Sequence, residues 1–392
     1  MPGPLHGYRI IDLTSNISGP LATMILADQG ADVIKVEPPQ GGDHTRASAN
    51  RKGGFSATFL NNNRNKRSIA LDLKTAAARD AVLKLAATAD VFIQNFRAGV
   101  IERMGLGEDA VRAVAPNIVY VSISGFGERG PYAPKPAYDP VVQALSSLAT
   151  IQAGSDTDRP RLVRTILPDK LTAITASQAI TAALLHRART GEGQHVRLSM
   201  LDAVLQFLWS SDMAGQTFVG EEKAQAETAS AIDLIYATAD GYISAAVQTN
   251  KQWEGLTRAL DHPEWLDDPR FRTPALRQQN INVRLQLTQE TLLTRPAAEW
   301  LERLTAQDVP CAPVLTRSQV IHHPQVIANE TLTETDHPSA GHLRQTRPAA
   351  RFSGTPAGIR FGAPTLGEHT GEILAELGYT PAEIGALKGP AA

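Results

Sequence analysis

The feature that most constrains this chain is a repeated change of periodicity across its first third. Short apolar runs of strand length are Tyr8–Leu13, Ala31–Glu37, Ser68–Leu73, Val91–Phe96 and Ile118–Ser124. Between them lie stretches of helical spacing, Leu21–Ala27, Ala76–Ala89 and Glu108–Ala115. A strand that is apolar on both sides must be covered on both faces, and parallel neighbours require a crossover, usually a helix. The pattern therefore predicts an α/β fold with a Rossmann-like parallel sheet covered by helices on both faces. Gly30 is placed to close the first helix, where a residue free to take positive φ is favoured.

Farther along, Asp169–Thr190 reads as a long Ala-rich helix stopped at Gly191-Glu192-Gly193, followed by strand His195–Leu198 and helix Leu201–Trp209. Met213–Ala231 is polar and weakly periodic, so it reads as a linker. A second unit follows, with strands YISAAVQ and VPCAPVL and helices around Trp253–Leu260 and Ala298–Ala306. The expected division is a large unit over 1–212, a linker over 213–231, a small α/β unit over 232–326 and a return segment over 327–392. A helix near Glu368–Leu377 closes the tail.

Charge narrows the function. Lys plus Arg number 38 and Asp plus Glu 40, a net charge of −2, which argues against a nucleic-acid coat or a polybasic membrane binder. A single cysteine, Cys311, excludes an internal disulfide framework and suits a reducing cytosol. Between two prolines and without a His–Asn pattern, it reads as a buried small residue rather than a nucleophile. The first residues lack the basic and apolar regions of a signal peptide, and no apolar run approaches the roughly 20 residues that cross a bilayer. A cytoplasmic protein is expected, with no nucleic-acid or membrane partner.

Individual motifs point to a ligand without naming it. Gly125-Phe126-Gly127-Glu128-Arg129-Gly130 matches GxGxxG after a strand, but a dinucleotide site needs a helix to follow. Three prolines within Pro131–Pro136 forbid that helix, so no nicotinamide is expected and the segment reads as a Gly/Pro ligand loop. The histidines are scattered and neither HExxH nor paired CxxC occurs, so no metal is expected. Arg64, Lys66, Arg67, Lys74, Arg97 and Arg103 cluster near strand ends, either as solvated surface or as an anion site for phosphates. Asp169 reads either as an N-cap or as a nucleophile toward an acyl carbonyl. Spacing does not choose between them.

Longer motifs add a resemblance. Ser15–Asp43, Asn65–Thr75, Gln94–Leu106, Tyr120–Tyr132, Asp169–Leu205, VPCAPVL and Leu366–Thr370 together resemble the class III CoA-transferases, in order and nearly end to end. The resemblance implies a Rossmann-like large domain built from both chain ends, a smaller domain, and a homodimer of interlocked chains. It implies Asp169 as catalytic residue and coenzyme A, carried as substrate and product, against Ile17, Ser18, Leu71, Asp72, Leu73, Lys74, Asn95, Phe96, Arg97, Arg103, Ala137 and Tyr138. The implied reaction moves CoA from an acyl-CoA donor to a carboxylic acid acceptor through an aspartyl anhydride and an enzyme–CoA thioester. Two departures stand out: Pro38 replaces an arginine beside the adenine, and no tetraglycine run occurs. The second departure implies an acceptor larger than oxalate.

Two other functions compete. An α-methylacyl-CoA racemase of the same fold needs an acid/base pair flanking the α-carbon. It would resemble GHDINY where this chain has Ala137-Tyr138-Asp139-Pro140, and a tyrosine with an ordinary pKa near 10 is a poor replacement for that histidine. A non-catalytic acyl-CoA binder would need no carboxylate at Asp169.

Overall fold

The computed structural model describes residues 3–223 and 234–388. Six strands form one parallel sheet: β1 (Arg9–Asp12), β2 (Asp32–Glu37), β3 (Lys66–Ala70), β4 (Val91–Gln94), β5 (Val119–Ser124) and β6 (His195–Ser199). Their spatial order is β3-β2-β1-β4-β5-β6, and every pairing is parallel. This is the doubly wound order, whose reversal between β1 and β4 opens a crevice at the carboxyl ends of the strands.

Alternation along the strands builds a core on each face. Ile10, Val33, Val91, Val119 and Val121 point to one side, where they meet α1 (Ser18–Asp28) and the long helix α8 (Leu167–Thr190) through Leu26, Ala176 and Ile180. Ile11, Ile34, Ile69, Phe92 and Tyr120 point to the other, under α3 (Ala76–Ala86) and the tail helix Thr370–Glu376. Small residues let α1 and α8 lie close: Ala22, Ala27, Ala173, Ala176 and Ala183 are buried among them.

Gly30 follows α1 with φ +106°, and a Cβ there would stand 3.0 Å from the Cα of Gly3. Both the backbone and the space at that position require glycine. The GxGxxG segment bends through turns, and no helix begins until α6 (Asp139–Leu145), as the prolines dictate.

Two elements differ from the sequence expectation. The third strand begins two residues earlier than expected and ends at Ala70, because Lys66 pairs in register with Val33 and is fully buried. Leu71–Lys74 thereby becomes a loop at the strand's carboxyl end, with Thr75 capping α3 through the N–H of Ala78. Asp169 does not cap its helix: Ile166 is the N-cap and Pro168 stands inside the first turn, placing Asp169 third in the helix. Proline suits that turn because the N–H it lacks has no partner there.

The described residues fall into two units. One comprises 3–152, 161–217 and 330–388, so both ends of the chain contribute to it. Its tail lies along β3, where the N–H of His369 bonds to Ser68 O at 2.9 Å and Thr370 Oγ1 accepts from the N–H of Ala70 at 3.0 Å. The second unit comprises 153–160 with the described part of 218–329. It holds a three-stranded antiparallel sheet, β7 (Ile235–Ala237), β8 (Tyr242–Ala245) and β9 (Cys311–Pro313), with β8 in the centre. Its core is aromatic: Trp253 stacks on Trp265 with centroids 6.2 Å apart, and Trp300 Nε1 donates to Leu292 O at 2.8 Å. Cys311 on β9 is half-buried rather than buried, with Sγ near Thr305 Oγ1 and Leu301 O. Residues 224–231 of the expected linker and the start of the small unit at Ile232 lie outside the described residues.

Candidate active site

A cleft of about 470 Å³ opens at the carboxyl ends of β1 to β4. Leu13–Ser15 follow β1, Val36–Pro38 end β2, Leu71–Lys74 follow β3, and Phe96 follows β4. Of the residues expected to hold CoA, Leu71, Asp72, Leu73, Lys74 and Phe96 line this cleft, and so does Pro38. Arg97 lines a neighbouring hollow of about 610 Å³ together with Ser122, Glu108 and His195. Arg103 is exposed at the end of α4 (Val100–Arg103), one residue before Met104, which lines the cleft. Among the described residues no carboxylate pairs with Lys74, Arg97 or Arg103, which leaves three cations at one edge of the sheet for an anionic ligand.

The other expected contacts have different roles. Asn95 bonds both ways to one backbone: its Oδ1 accepts from the N–H of Ser15 at 3.0 Å and its Nδ2 donates to Ser15 O at 2.8 Å. It fixes the loop that opens the cleft. Ile17 is the N-cap of α1, and Ala137 packs against Gly125 so closely that a Cβ on Gly125 would overlap it. Tyr138 is 68% exposed.

Half of the basic cluster is structural, which corrects the anion-site reading for those residues. Arg64 is buried and forms a two-pronged pair with Asp28, Nη2 to Oδ2 at 2.7 Å. Lys66 is buried on Asp12 at 3.0 Å, with Pro20 O and Asn63 Oδ1 completing its bonds. Arg67 bridges Asp32, Glu372 and Glu376, tying the tail helix to the edge of the sheet. None of the three faces the cleft.

Beneath the cleft lies a charged floor that the sequence reading passed over. Asp12, Lys35 and Glu37 are buried in otherwise apolar strands. Lys35 Nζ meets Asp43 Oδ2 at 2.9 Å and donates to Thr14 O at 2.8 Å. Glu37 holds Arg46, Ser68 Oγ and the N–H of Asp43. Burial opposes ionisation of Asp12, but Lys66 and Lys35 outweigh it and hold the carboxyl well below its ordinary range. Lys66 is pushed down to about 8 by its own burial, against the pull of Asp12. A charged residue inside a strand without surface alternation was the available signal, since such a position must find a partner. The loop above this floor turns at Gly42, with φ +64°, where a Cβ would stand 2.8 Å from Glu37 Oε2.

Asp169 is half-buried in the first turn of α8, where the hydroxyl and N–H of Ser18 at the start of α1 favour its ionised form. Its own N–H donates to Asp139 Oδ2 at 3.3 Å. Asp139 opens α6, is buried, and accepts from Gln143 Nε2 at 2.6 Å. Gln143 in turn takes the N–H of Val163 at 2.9 Å, which positions the strand-like approach to α8. Three helix starts therefore converge on two carboxyl groups. Burial first and Asp139 second push the Asp169 carboxyl up to about 6, while the bonds from Ser18 oppose that rise. Burial also raises Asp139. Ser18 thus serves the carboxylate, and Asp139, one residue after the last of the expected CoA contacts, is its electrostatic partner.

Comparison with known proteins agrees with this geometry. The family profile described as CoA-transferase family III matches residues 5–370. A human succinyl-CoA:glutarate CoA-transferase is 34% identical, covering 98% of this chain and 88% of the relative. A formyl-CoA:oxalate CoA-transferase from Streptomyces avermitilis is 33% identical, covering 99% of each. Among solved structures, a CaiB/BaiF family protein from Brucella suis superposes with a TM-score of 0.84 at 31% identity, covering 96% of this chain and 100% of that one. No described helix is long and apolar enough to cross a membrane, and no group of metal-ligating side chains occurs among the described residues.

Proposed function

The chain belongs to CoA-transferase family III, and from that premise we propose that it moves CoA from an acyl-CoA to a free carboxylic acid through covalent intermediates on Asp169. The observation that carries this reading is the half-buried Asp169 carboxyl in the first turn of α8, pushed up to about 6 by burial and Asp139, with Ser18 favouring its ionised form three residues along the chain from the cleft lining at Ser15.

The steps follow from a carboxylate's ability to become an acyl group. The Asp169 carboxylate attacks the donor thioester carbonyl and expels CoA thiolate, leaving a mixed anhydride. The thiolate attacks the aspartyl carbonyl, forming an Asp169–CoA thioester and releasing the donor acid as carboxylate. The acceptor carboxylate attacks that thioester, giving a second anhydride and freeing the thiolate. Attack of the thiolate on the acceptor carbonyl yields the new acyl-CoA and restores Asp169. Ser18, whose N–H and hydroxyl favour the ionised carboxyl, is the donor that stabilises oxyanions there. Lys74, Arg97 and Arg103 balance the phosphates of CoA, with the loop Leu71–Lys74 along the nucleotide.

The acceptor in this reading is larger than oxalate. The relatives named above act on different acids, so identity alone does not choose one. Between the helix carrying Asp202 and β8 this chain has only isolated glycines, with bulkier groups that include Phe218, Glu221, Glu222 and Ile232. A wall made of side chains closes less tightly over a very small acid, and a longer one helps exclude water from the thioester. The protein acts as a homodimer in cytoplasm in this reading. The support for association is apolar surface on α8 and on α9 (Met200–Trp209), where Ile174, Leu185, Phe207 and Trp209 remain exposed.

The racemase reading finds no histidine at Tyr138. Deuterium uptake at the α-carbon of a 2-methylacyl-CoA without an acceptor acid would favour it. The direct test incubates the protein with a panel of acyl-CoA donors and carboxylic acids and follows exchange by mass spectrometry. A CoA adduct on the peptide carrying Asp169 is expected with the productive donor, and oxalate is expected to be a poor acceptor beside succinate or longer acids. An Asp169→Ala protein that keeps more than about a hundredth of the exchange rate overturns the covalent role, because losing a nucleophile costs several powers of ten.

A further inference from the structure

The small unit holds a second cavity, of about 340 Å³, outside everything used above. It lies between the β8 end of the antiparallel sheet and two helices, Pro274–Gln279 and Ile281–Leu292. Two guanidinium groups line it, Arg277 and Arg284, and among the described residues no aspartate or glutamate lines it.

Arg277 is 6% exposed and spends part of its donor set on Phe271 O, at 2.9 Å, and on Asn250 Oδ1. Arg284 is half-buried, and its guanidinium has no hydrogen-bond or ion-pair partner among the described residues. Each arginine carries a fork of five N–H donors, so most of their capacity is unspent. Burial lowers the pKa of both, and for Arg284 the neighbouring Arg277 adds to the effect. A desolvated cation with no counter-charge is costly, and two close together are costlier. The arrangement is stabilised when an anion enters.

We propose that this cavity binds a small organic dianion, two carboxylates on a short aliphatic chain, held by Arg277 and Arg284. Two cations without an internal anion match two negative charges, and a guanidinium fork matches a carboxylate in two-pronged geometry. Leu256, Ile281 and Leu285 supply apolar wall for the chain between the carboxylates. A bare inorganic anion would leave that wall unused. The volume lies within the range of small-molecule sites. Binding here needs neither Asp169 nor CoA, so it stands apart from the transferase reading.

The test uses the full-length protein with Trp209→Phe, which leaves its three remaining tryptophans, Trp253, Trp265 and Trp300, in the small unit. Trp253 is the local reporter, since the Arg277 guanidinium carbon lies 5.6 Å from its ring centre. Pentanedioate, pentanoate and inorganic phosphate are titrated while tryptophan emission is followed. Pentanedioate is expected to shift the emission saturably and at least tenfold more tightly than either control. The same titration is expected in an Asp169→Ala background, which separates this site from the catalytic one. Arg284→Gln is expected to weaken the dianion at least tenfold with an unchanged circular dichroism spectrum, and Arg284→Lys to recover part of the loss. Equal binding of phosphate, absence of a shift with pentanedioate, or full affinity in Arg284→Gln overturns the proposal.

Discussion

At the scale of single residues, the carboxyl pair Asp169 and Asp139 gives the molecule a pH signature. The folded pKa of Asp169, about 6, lies above its ordinary 3.8. Only the ionised form attacks a thioester, so kcat/KM is expected to fall as pH drops through about 6. Asp139→Asn removes the neighbouring charge and is expected to move that acid limb to lower pH. Ser18→Ala removes the hydroxyl that favours the carboxylate and is expected to move it higher. A pH–rate profile on the three proteins checks both directions. The same shift has a thermodynamic sign. A raised carboxyl pKa means that the fold prefers the protonated form, so the ionised group destabilises the protein increasingly between pH 3.8 and about 6. Asp169→Asn is therefore expected to melt higher than wild type at pH 7.5, with the gap closing near pH 4. Thermal melts at the two pH values read this directly.

At the scale of elements, lysines at either end of one strand and its loop do opposite work. Lys66 opens β3 from inside the protein, fully buried on Asp12, whereas Lys74 stands exposed on the loop beyond β3. Lys66→Met takes from the buried Asp12 its hydrogen-bonded cation and is expected to cost about 3–5 kcal/mol in urea unfolding. Lys74→Ala is expected to leave unfolding unchanged and to raise the KM for acyl-CoA roughly tenfold or more, the loss of one charge-assisted bond of about 1.5–3 kcal/mol. Reversal of the two phenotypes would show that the sheet edge has been divided wrongly between fold and ligand. The contrast explains why the basic cluster was only half legible. Sequence spacing placed all six cations near strand ends, but whether each points below the sheet or into the cleft depends on the strand's starting residue. The early start of β3, fixed by pairing with β2, decided it for Lys66.

At the scale of the whole molecule, the proposed association rests on exposed apolar surface on α8 and α9. Light scattering is expected to give twice the chain mass at micromolar concentration, and the urea midpoint to rise with protein concentration, as it does when association and folding are linked. A folded species of single-chain mass with a concentration-independent midpoint would remove the homodimer from the proposed function.

The parallel sheet, its helical covers and the carboxylate at the head of the long helix were legible in residue order, because hydrophobic periodicity and helix-start chemistry are local. Gly30 and the prolines after GxGxxG were legible for the same reason, each restricting its own φ. Asp139 beside Asp169 and Ser18 on the carboxylate come from positions 30 and 151 residues away in the chain, and the register of β3 against β2 is likewise a pairing between distant segments. The charges on Asp12, Lys35 and Lys66 could be seen one by one, but their mutual neutralisation exists only where three strands lie side by side. Local pattern therefore determined the elements and the kind of chemistry. Tertiary packing decided which charged groups are partners and which are left for a ligand, because charge pairing acts through space and burial rather than along the chain.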